Sequence, residues 1–280
     1  FKQIRKININ SLLERDPIVL DLALIGSQMQ GKRILVSGAA GSIGSEIVRQ
    51  LTQFKPVQLI LLDQAESALY ELERELETEA EHIKCVFVVG DITNQLRLEA
   101  VFEQYKPELV FHAAAYKHVP LMESNVYEAC RTNIMGTRIM ADLSHRFKVE
   151  KFVMVSTDKA VRPSNVMGAS KRIAEMYVQA LGVTSTTRFV TTRFGNVLGS
   201  NGSVIPLLTR QIERGGPVTV THPELTRYFM TISEACQLVL EASAMGEGGE
   251  IFIFDMGKSV KIIDLVHKMI QLSGLVPGKD

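Results

Sequence analysis

RILVSGAAGSIGSEIV, residues 33–48, carries a short apolar run straight through three glycines and into helical spacing. RILVS (33–37) reads as a strand, and Gly38, Gly41 and Gly44 follow it directly. SEIVRQLTQF (45–54) then sets Ile47, Val48 and Leu51 on one helical face. Strand, glycine turn and helix in that order bring backbone amides and the positive end of a helix dipole to one point. Without side chains at the glycines, a pyrophosphate can approach the backbone closely. Ser42 and Ile43 complete the turn. A glycine triplet alone is weak evidence, because tight turns use glycine for structural reasons; the flanking strand and helix strengthen it.

Outward from this stretch, strands and helices alternate. VQLILLD (57–63) is a second strand, and ESALYELERELETEA (66–80) a helix with Leu69, Leu72 and Leu76 on one stripe and glutamates on a solvated face. CVFVVGD (85–91) and ELVFHAAA (108–115) flank a helix near 95–105. A long helical stretch, 124–147, leads to EKFVMVST (150–157), a fifth strand, and a helix follows over 164–181. Near-continuous apolar strands imply a sheet covered on both faces, and regular helical crossovers imply parallel strands. The fold class is therefore α/β, a Rossmann-like doubly wound parallel sheet with ligands at the carboxyl ends of its strands. After about 190 the pattern loosens; VTV (218–220) and IFIF (251–254) are shorter strand candidates in a smaller C-terminal lobe.

The totals narrow the function. The 280 residues are 46% hydrophobic and 22% charged, enough for a large core and no signature of disorder. Net charge is zero and pI about 7.2, so no bulk attraction to nucleic acid is expected. Cys85, Cys130 and Cys236 are far apart, as expected of a reduced compartment, and the six histidines show no ligand spacing, so no metal site is expected. No apolar run approaches the ~20 residues of a membrane span, so no membrane contact is expected from these residues themselves. Phe1 opens inside a charged stretch and the chain stops at LVPGKD, so one part of a longer protein is expected.

Asp63 ends the second strand, 19 residues after Gly44. A carboxylate there accepts hydrogen bonds from an adenosine ribose and repels a 2′-phosphate, which favours NAD over NADP. Asp91 and Ile92, after the third strand, are placed to meet the adenine. VSTDKAVRPSNVMGASKR (155–172) sets Thr157, Asp158 and Lys159 at the carboxyl end of the fifth strand, where a substrate would lie. An acid and a base side by side suit proton transfer, though such pairs are also common as plain surface ion pairs.

The glycine spacing, the HAAA after the fourth strand with Ala113 and Ala114, and Lys171 on the helix after the fifth resemble the extended short-chain dehydrogenase superfamily. That resemblance makes Lys171 a ligand of the nicotinamide ribose. The superfamily carries a proton-transferring tyrosine four residues before this lysine; here the position is Met167, which cannot exchange a proton. STDKAVRPSNVMGASKR, HAAAYKHVPLMESN, TNIMGT, RFGNVLGSNGSVIPLL and THPELTRYFMTISEA more specifically resemble bacterial UDP-N-acetylglucosamine 4,6-dehydratases of polysaccharide and protein-glycan pathways, from about residue 10 to the end. Methionine in place of the tyrosine resembles the long form of that family. The resemblance implies a cytoplasmic domain tethered to an inner membrane by spans outside this chain, and retention at C5.

In the chemistry so implied, the bound dinucleotide takes hydride from C4 of the sugar and returns it to C6 after water is lost across C5 and C6. Asp158 is then the acid for O6 and Lys159 the base at C5. The O4 proton goes through Thr157 and the cofactor ribose to Lys171, or directly to Asp158; both routes stay open. Lys117 and His118 are substrate candidates, as are Asn196, Gly202, Ser203, Val204, Pro206 and, for a diphosphate, Arg227. Asn133 is expected to brace the site and His112 to be structural. The domain expectation is a lead-in over 1–30, an NAD-binding domain over 31–190 and a substrate-binding lobe over 191–280, truncated at its end. Rival readings are a UDP-sugar 4-epimerase, which has no need of the Asp158–Lys159 pair, and a non-catalytic NAD sensor or scaffold. The amphipathic stretches 124–147 and 164–181 are candidates for a homodimer interface.

Overall fold

The computed structural model describes residues 20–278, apart from Asn201, Ser203, Thr221 and Pro223. Most of the 1–30 lead-in lies outside the described residues. Two compact units emerge. The larger comprises Leu20–Phe194 and Cys236–Phe254; the smaller takes its described residues from 195–235 and 255–278.

The larger unit is built on β1 (Arg33–Ser37), β2 (Gln58–Asp63), β3 (Lys84–Val89), β4 (Leu109–His112), β5 (Lys151–Thr157), β6 (Arg188–Phe194) and β10 (Ile251–Ile253). They form one seven-stranded sheet, order β10-β6-β5-β4-β1-β2-β3, with every pair parallel. The fold is a Rossmann-like doubly wound sheet. Its order reverses between β1 and β4, where Ser37 pairs with both Leu62 and His112. The crevice of such a sheet opens at this switch point. Helices α2 (Ser42–Thr52), α3 (Glu66–Glu79), α4 (Gln95–Tyr105), α7 (Thr137–Arg146) and α8 (Val166–Gly182) follow successive strands. One core joins Leu35, Ile60, Val110 and Phe152 of the strands to Phe102, Met140 and Val178 of the helices.

Four elements depart from the sequence reading. The stretch 124–147 is not uniform: α6 (Val126–Ala129) passes through a π-helix, Cys130–Gly136, into α7. The expected domain boundary at 190 falls inside β6, whose RFVTTRF hides its strand character among threonines and arginines. IFIF joins the large sheet beside β6 rather than the lobe. VTV (218–220) forms no strand; Val218 and Val220 pack instead against the core of the smaller unit. That core is helical, with Ile205, Leu208 and Ile212 of α9 (Val204–Glu213) against Leu265, Val266 and Met269 of α11 (Ile262–Leu272). β7 (Asn196–Leu198) pairs with β9 (Phe229–Thr231), and β8 (Thr226–Arg227) with β11 (Val260–Lys261). Among the described residues no helix is long and apolar enough to cross a membrane, and no cluster of His, Cys, Asp or Glu could hold a metal ion.

Candidate active site

The glycine turn is fixed by the chain itself at two of its three points. Gly38 has φ +70°, and a Cβ there would lie 2.6 Å from the Ala114 nitrogen. A Cβ on Gly44 would strike the Gly38 carbonyl oxygen. Gly41 is different: its φ is −74°, and a Cβ would meet only the Gly38 oxygen, at 3.2 Å. Gly41 is the N-cap of α2, and no side chain caps that end. Ser42 and Ile43 form the first turn of the helix behind it. An uncapped N-terminus approached through a residue with no side chain fits a phosphate.

Asp63 ends β2 and braces the turn. Its Oδ2 accepts from the Ala40 amide at 2.9 Å, and its Oδ1 from the Ala65 amide at 2.9 Å. Each oxygen keeps a lone pair for a ribose hydroxyl, and the charge opposes a 2′-phosphate. Asp91 is engaged more fully: Oδ1 accepts from the Thr93 amide at 2.8 Å and Oδ2 pairs with Arg131 at 3.1 Å. The Ile92 side chain is buried in the core, against the α-carbon of Gly136. Only its backbone is left for a base. Ala113 donates to the Ser37 carbonyl at 3.0 Å, holding the β4 exit beside the turn.

β5 delivers the chemistry-bearing residues. Thr157 donates its hydroxyl proton to Asp158 Oδ1 at 2.9 Å, and Lys159 Nζ pairs with the same oxygen at 3.0 Å. Asp158–Ala160 is a single 3₁₀ turn, with Asp158 50% and Lys159 33% exposed at their side chains. This turn is locked to α8 by a residue the sequence reading passed over. A Cβ on Gly168 would strike the Lys159 carbonyl oxygen, so only glycine lets the two elements meet. Its place beside Met167, at the helix start, was the available signal.

Lys171 stands on the buried face of α8, 4% exposed. Burial pulls its pKa down to about 8, against the opposing charge of Glu175. Among the described residues no hydrogen bond or ion pair to its ammonium is found. A buried ammonium with no hydrogen-bond acceptor among the described residues fits a ribose diol, and with Gly41 and Asp63 it makes the residues present compatible with a dinucleotide. Met167 is buried with Met122 and Ala129, packed by Tyr116, Val119 and Val166.

Asn133, carried inward by the π-helix, accepts from the Tyr116 amide at 2.8 Å and donates to the Tyr116 carbonyl and to Ser170 Oγ, each at 3.0 Å. It braces the loop after β4 against α8. His112 is fully buried between Ser37 Oγ at 2.7 Å and Thr137 Oγ1 at 2.9 Å. Thr137 donates to the Asn133 carbonyl, so it accepts from His112 Nε2 and leaves Nδ1 to accept from Ser37. Burial, with help from the Lys171 charge, pushes the imidazole down to about 3. Lys117 and His118 lie exposed after β4, and the surrounding protein lowers the Lys117 pKa.

The other substrate candidates belong to the smaller unit. Asn196 opens β7, Gly202 has φ +69°, and Val204 and Pro206 lie in the first turn of α9. Arg227 is exposed on β8 and donates to the Thr226 carbonyl at 3.0 Å. Ser203 lies outside the described residues.

Residues 34–280 match the model of a family described as polysaccharide biosynthesis protein. The chain belongs to that family. Within it, the chain is 56% identical over 273 residues to the capsular polysaccharide biosynthesis protein CapD of Staphylococcus aureus, covering 97% of this chain and 46% of that protein. It thus spans about half the length of its curated relative. A UDP-N-acetylglucosamine 4,6-dehydratase (inverting) of Campylobacter jejuni is 34% identical, over 85% of this chain and 71% of that one. A UDP-glucose 4-epimerase of Rickettsia bellii is also 34% identical, over 86% and 70%. The solved structure of Pen from Bacillus thuringiensis superposes with a TM-score of 0.84 at 34% identity, covering 90% of this chain and 77% of that one.

Proposed function

We propose that this chain is the catalytic part of an NAD-dependent nucleotide-sugar 4,6-dehydratase acting on UDP-N-acetylglucosamine in polysaccharide synthesis. The observation that carries the proposal is the bonded run Thr157–Asp158–Lys159 on a turn locked to the helix of Lys171. A dehydratase needs an acid and a base side by side; an epimerase does not. The dinucleotide, held by Gly41, Asp63 and Lys171, would supply reversible hydride acceptance.

The chain's own residues can then balance the protons. Thr157 points its proton at Asp158 and accepts from the Lys159 amide at 3.4 Å, which leaves one lone pair to accept from the sugar O4–H. One proton passes from O4 to Thr157 while the Thr157 proton moves to Asp158. Asp158, now an acid, gives that proton to the departing O6, and water leaves. Lys159 must enter this step as the neutral amine, its proton given up from the pair with Asp158 before the sugar reacts; it then removes the C5 proton and later returns it to C5. Both side chains end as they began. This assigns the O4 proton to Asp158 rather than to Lys171, and it removes any need for a group at Met167. Lys171, mostly an ammonium at neutral pH, binds the ribose.

The test is incubation of UDP-N-acetylglucosamine with the full-length protein, read by mass and proton NMR. Loss of one water with a new C6 methyl doublet is expected, and the C5 coupling reads retention or inversion. Epimerised sugar without mass loss would replace this reading by the 4-epimerase, which the R. bellii relative favours equally by identity. Thr157→Val should slow the first hydride transfer; an unchanged rate would sink the relay.

Self-association and a membrane tether belong to the same proposal. α8 turns Lys171, Glu175 and Ser170 inward, while Ile173, Met176 and Val183 are exposed on a stripe spaced like a helix-pairing seam. A methanogen relative named an uncharacterized membrane protein, 48% identical, supports the tether.

A further inference from the structure

Glu175 takes no part in the proton transfers above, yet it is the most completely enclosed carboxylate near them. It lies on α8 one turn beyond Lys171, with no exposed surface. Its Oε1 accepts from the Ser156 hydroxyl at 2.6 Å and from Arg193 Nε at 2.9 Å. Its Oε2 accepts from Arg193 Nη2 at 2.6 Å and Arg172 Nη1 at 3.3 Å. Ser156 and Arg193 are register partners at the end of the β5–β6 ladder. Ser156 is also the residue immediately before Thr157. A buried ion pair is weak evidence for stability, since well-packed apolar residues often serve as well. Its place, between the strand end that carries the acid and base and the helix that carries Lys171, suggests another role.

We propose that Glu175 is a positioning residue for the reaction proposed above: it clamps the end of β5 through Ser156 and Arg193, and it is the buried countercharge that keeps Lys171 an ammonium. The inference rests on the dehydratase reading for its catalytic consequence, but not for the Lys171–Glu175 coupling itself. The groups around Lys171 leave Glu175 as its main countercharge. His112, on β4, is neutral at working pH, held down by burial and by Lys171. Arg172 and Arg193 are tied to Glu175 itself. Asp158 and Lys159, on the neighbouring turn, are paired with each other. Burial pushes the Glu175 carboxyl up, but Arg193, Ser156 and Arg172 outweigh it and hold the group ionised.

The experiment titrates Lys171 by NMR in this chain labelled at lysine Cε, assigned with Lys171→Met. Glu175→Gln keeps the shape and removes the charge; Ser156→Ala removes the strand clamp and keeps the charge. The Lys171 midpoint should fall by roughly one unit in Glu175→Gln, the low end of what an opposite charge contributes. It should stay in place in Ser156→Ala. With substrate and NAD, Ser156→Ala should slow C4 oxidation without moving the pH midpoint of Lys171. A folded Glu175→Gln with an unmoved Lys171 overturns the countercharge, and a Ser156→Ala with unchanged C4 oxidation overturns the clamp. If Glu175→Gln does not fold, Glu175→Gln with Arg193→Gln removes both members of the buried pair; the Lys171 midpoint should still fall, by less than in the single variant because a cation leaves with the carboxylate, and an unmoved midpoint overturns the countercharge. A wild-type chain that dehydrates nothing would sink the dehydratase reading while the Lys171 titration still decides the coupling.

Discussion

Two carboxylate–cation pairs bracket the β5–α8 corner, and they are built oppositely. Glu175 and Arg193 come from α8 and β6, are buried, and meet in a two-point fork with Ser156 as a third donor. Asp158 and Lys159 are chain neighbours, partly exposed, and joined by a single contact. The first pair has every lone pair occupied and cannot exchange a proton without leaving a buried charge. The second sets an acid and a base side by side at partly exposed positions. The corner holds itself with one pair and presents the other at its surface.

Removing one partner of the buried pair separates these roles most sharply. Glu175→Ala strands Arg193 and Ser156 without an acceptor, and such losses cost about 3–5 kcal/mol. Chemical denaturation should show that loss in midpoint; a change below about 1 kcal/mol would mean that water replaces the carboxylate and that the corner is not held there.

The exposed pair should behave the other way. Asp158→Asn and Lys159→Ala should each change stability by less than about 0.5 kcal/mol, as for most surface ion pairs. Each should lower dehydration by about 10²–10⁴-fold, the range for loss of a general acid or base. Denaturation and product NMR on the same preparations test both halves. A variant that loses stability and keeps turnover would reverse the assignment of the two pairs.

The sequence made the exposed pair easy to read and the buried one invisible, for a physical reason. Asp158 and Lys159 are adjacent and directly follow an apolar strand. Glu175 and Arg193 are 18 residues apart, and Arg193 lies in a strand that the reading cut in two at 190. RFVTTRF carries too few apolar residues to announce a central strand, although threonine suits one. Gly38, Gly41 and Gly44 were legible because a strand and a helix frame them. Gly168 was not, because its constraint comes from the Lys159 carbonyl, a contact made only once α8 folds back. Ile92 was expected at the adenine from its position after a strand; its side chain went into the core because Gly136 opens a space for it.

A third holding element answers to pH. His112 is buried neutral with a pKa of about 3, below the ordinary value of 6.5. A depressed histidine contributes its full stability above pH 6.5, where both folded and unfolded forms are neutral. Below that, the unfolded chain binds a proton that the folded chain refuses, so stability falls toward pH 3 at up to about 1.4 kcal/mol per pH unit. From pH 6.5 to 5 this is about 2 kcal/mol of acid destabilisation. His112→Gln should flatten the stability curve over that interval, measured by denaturant midpoint at each pH. An equally steep curve in the variant would place the acid sensitivity elsewhere.

Gly41 asks whether the same division into holding and working parts runs through the glycine turn. Gly38 and Gly44 are required by the backbone around them, so alanine at either should disrupt the turn whether or not a ligand binds. Gly41 sits at negative φ with one neighbour at 3.2 Å, which a shift of a few tenths of an ångström relieves. Gly41→Ala should therefore alter unfolding by no more than about 1 kcal/mol, the scale of ordinary glycine-to-alanine exchanges. Its methyl group would nevertheless stand at the uncapped end of α2, where a pyrophosphate must come close. NAD affinity, by calorimetry, should fall about tenfold or more, the equivalent of roughly 1.4 kcal/mol. Unchanged affinity would mean that Gly41, like its two neighbours, serves only the chain, and that the phosphate contact must be sought away from the helix N-terminus.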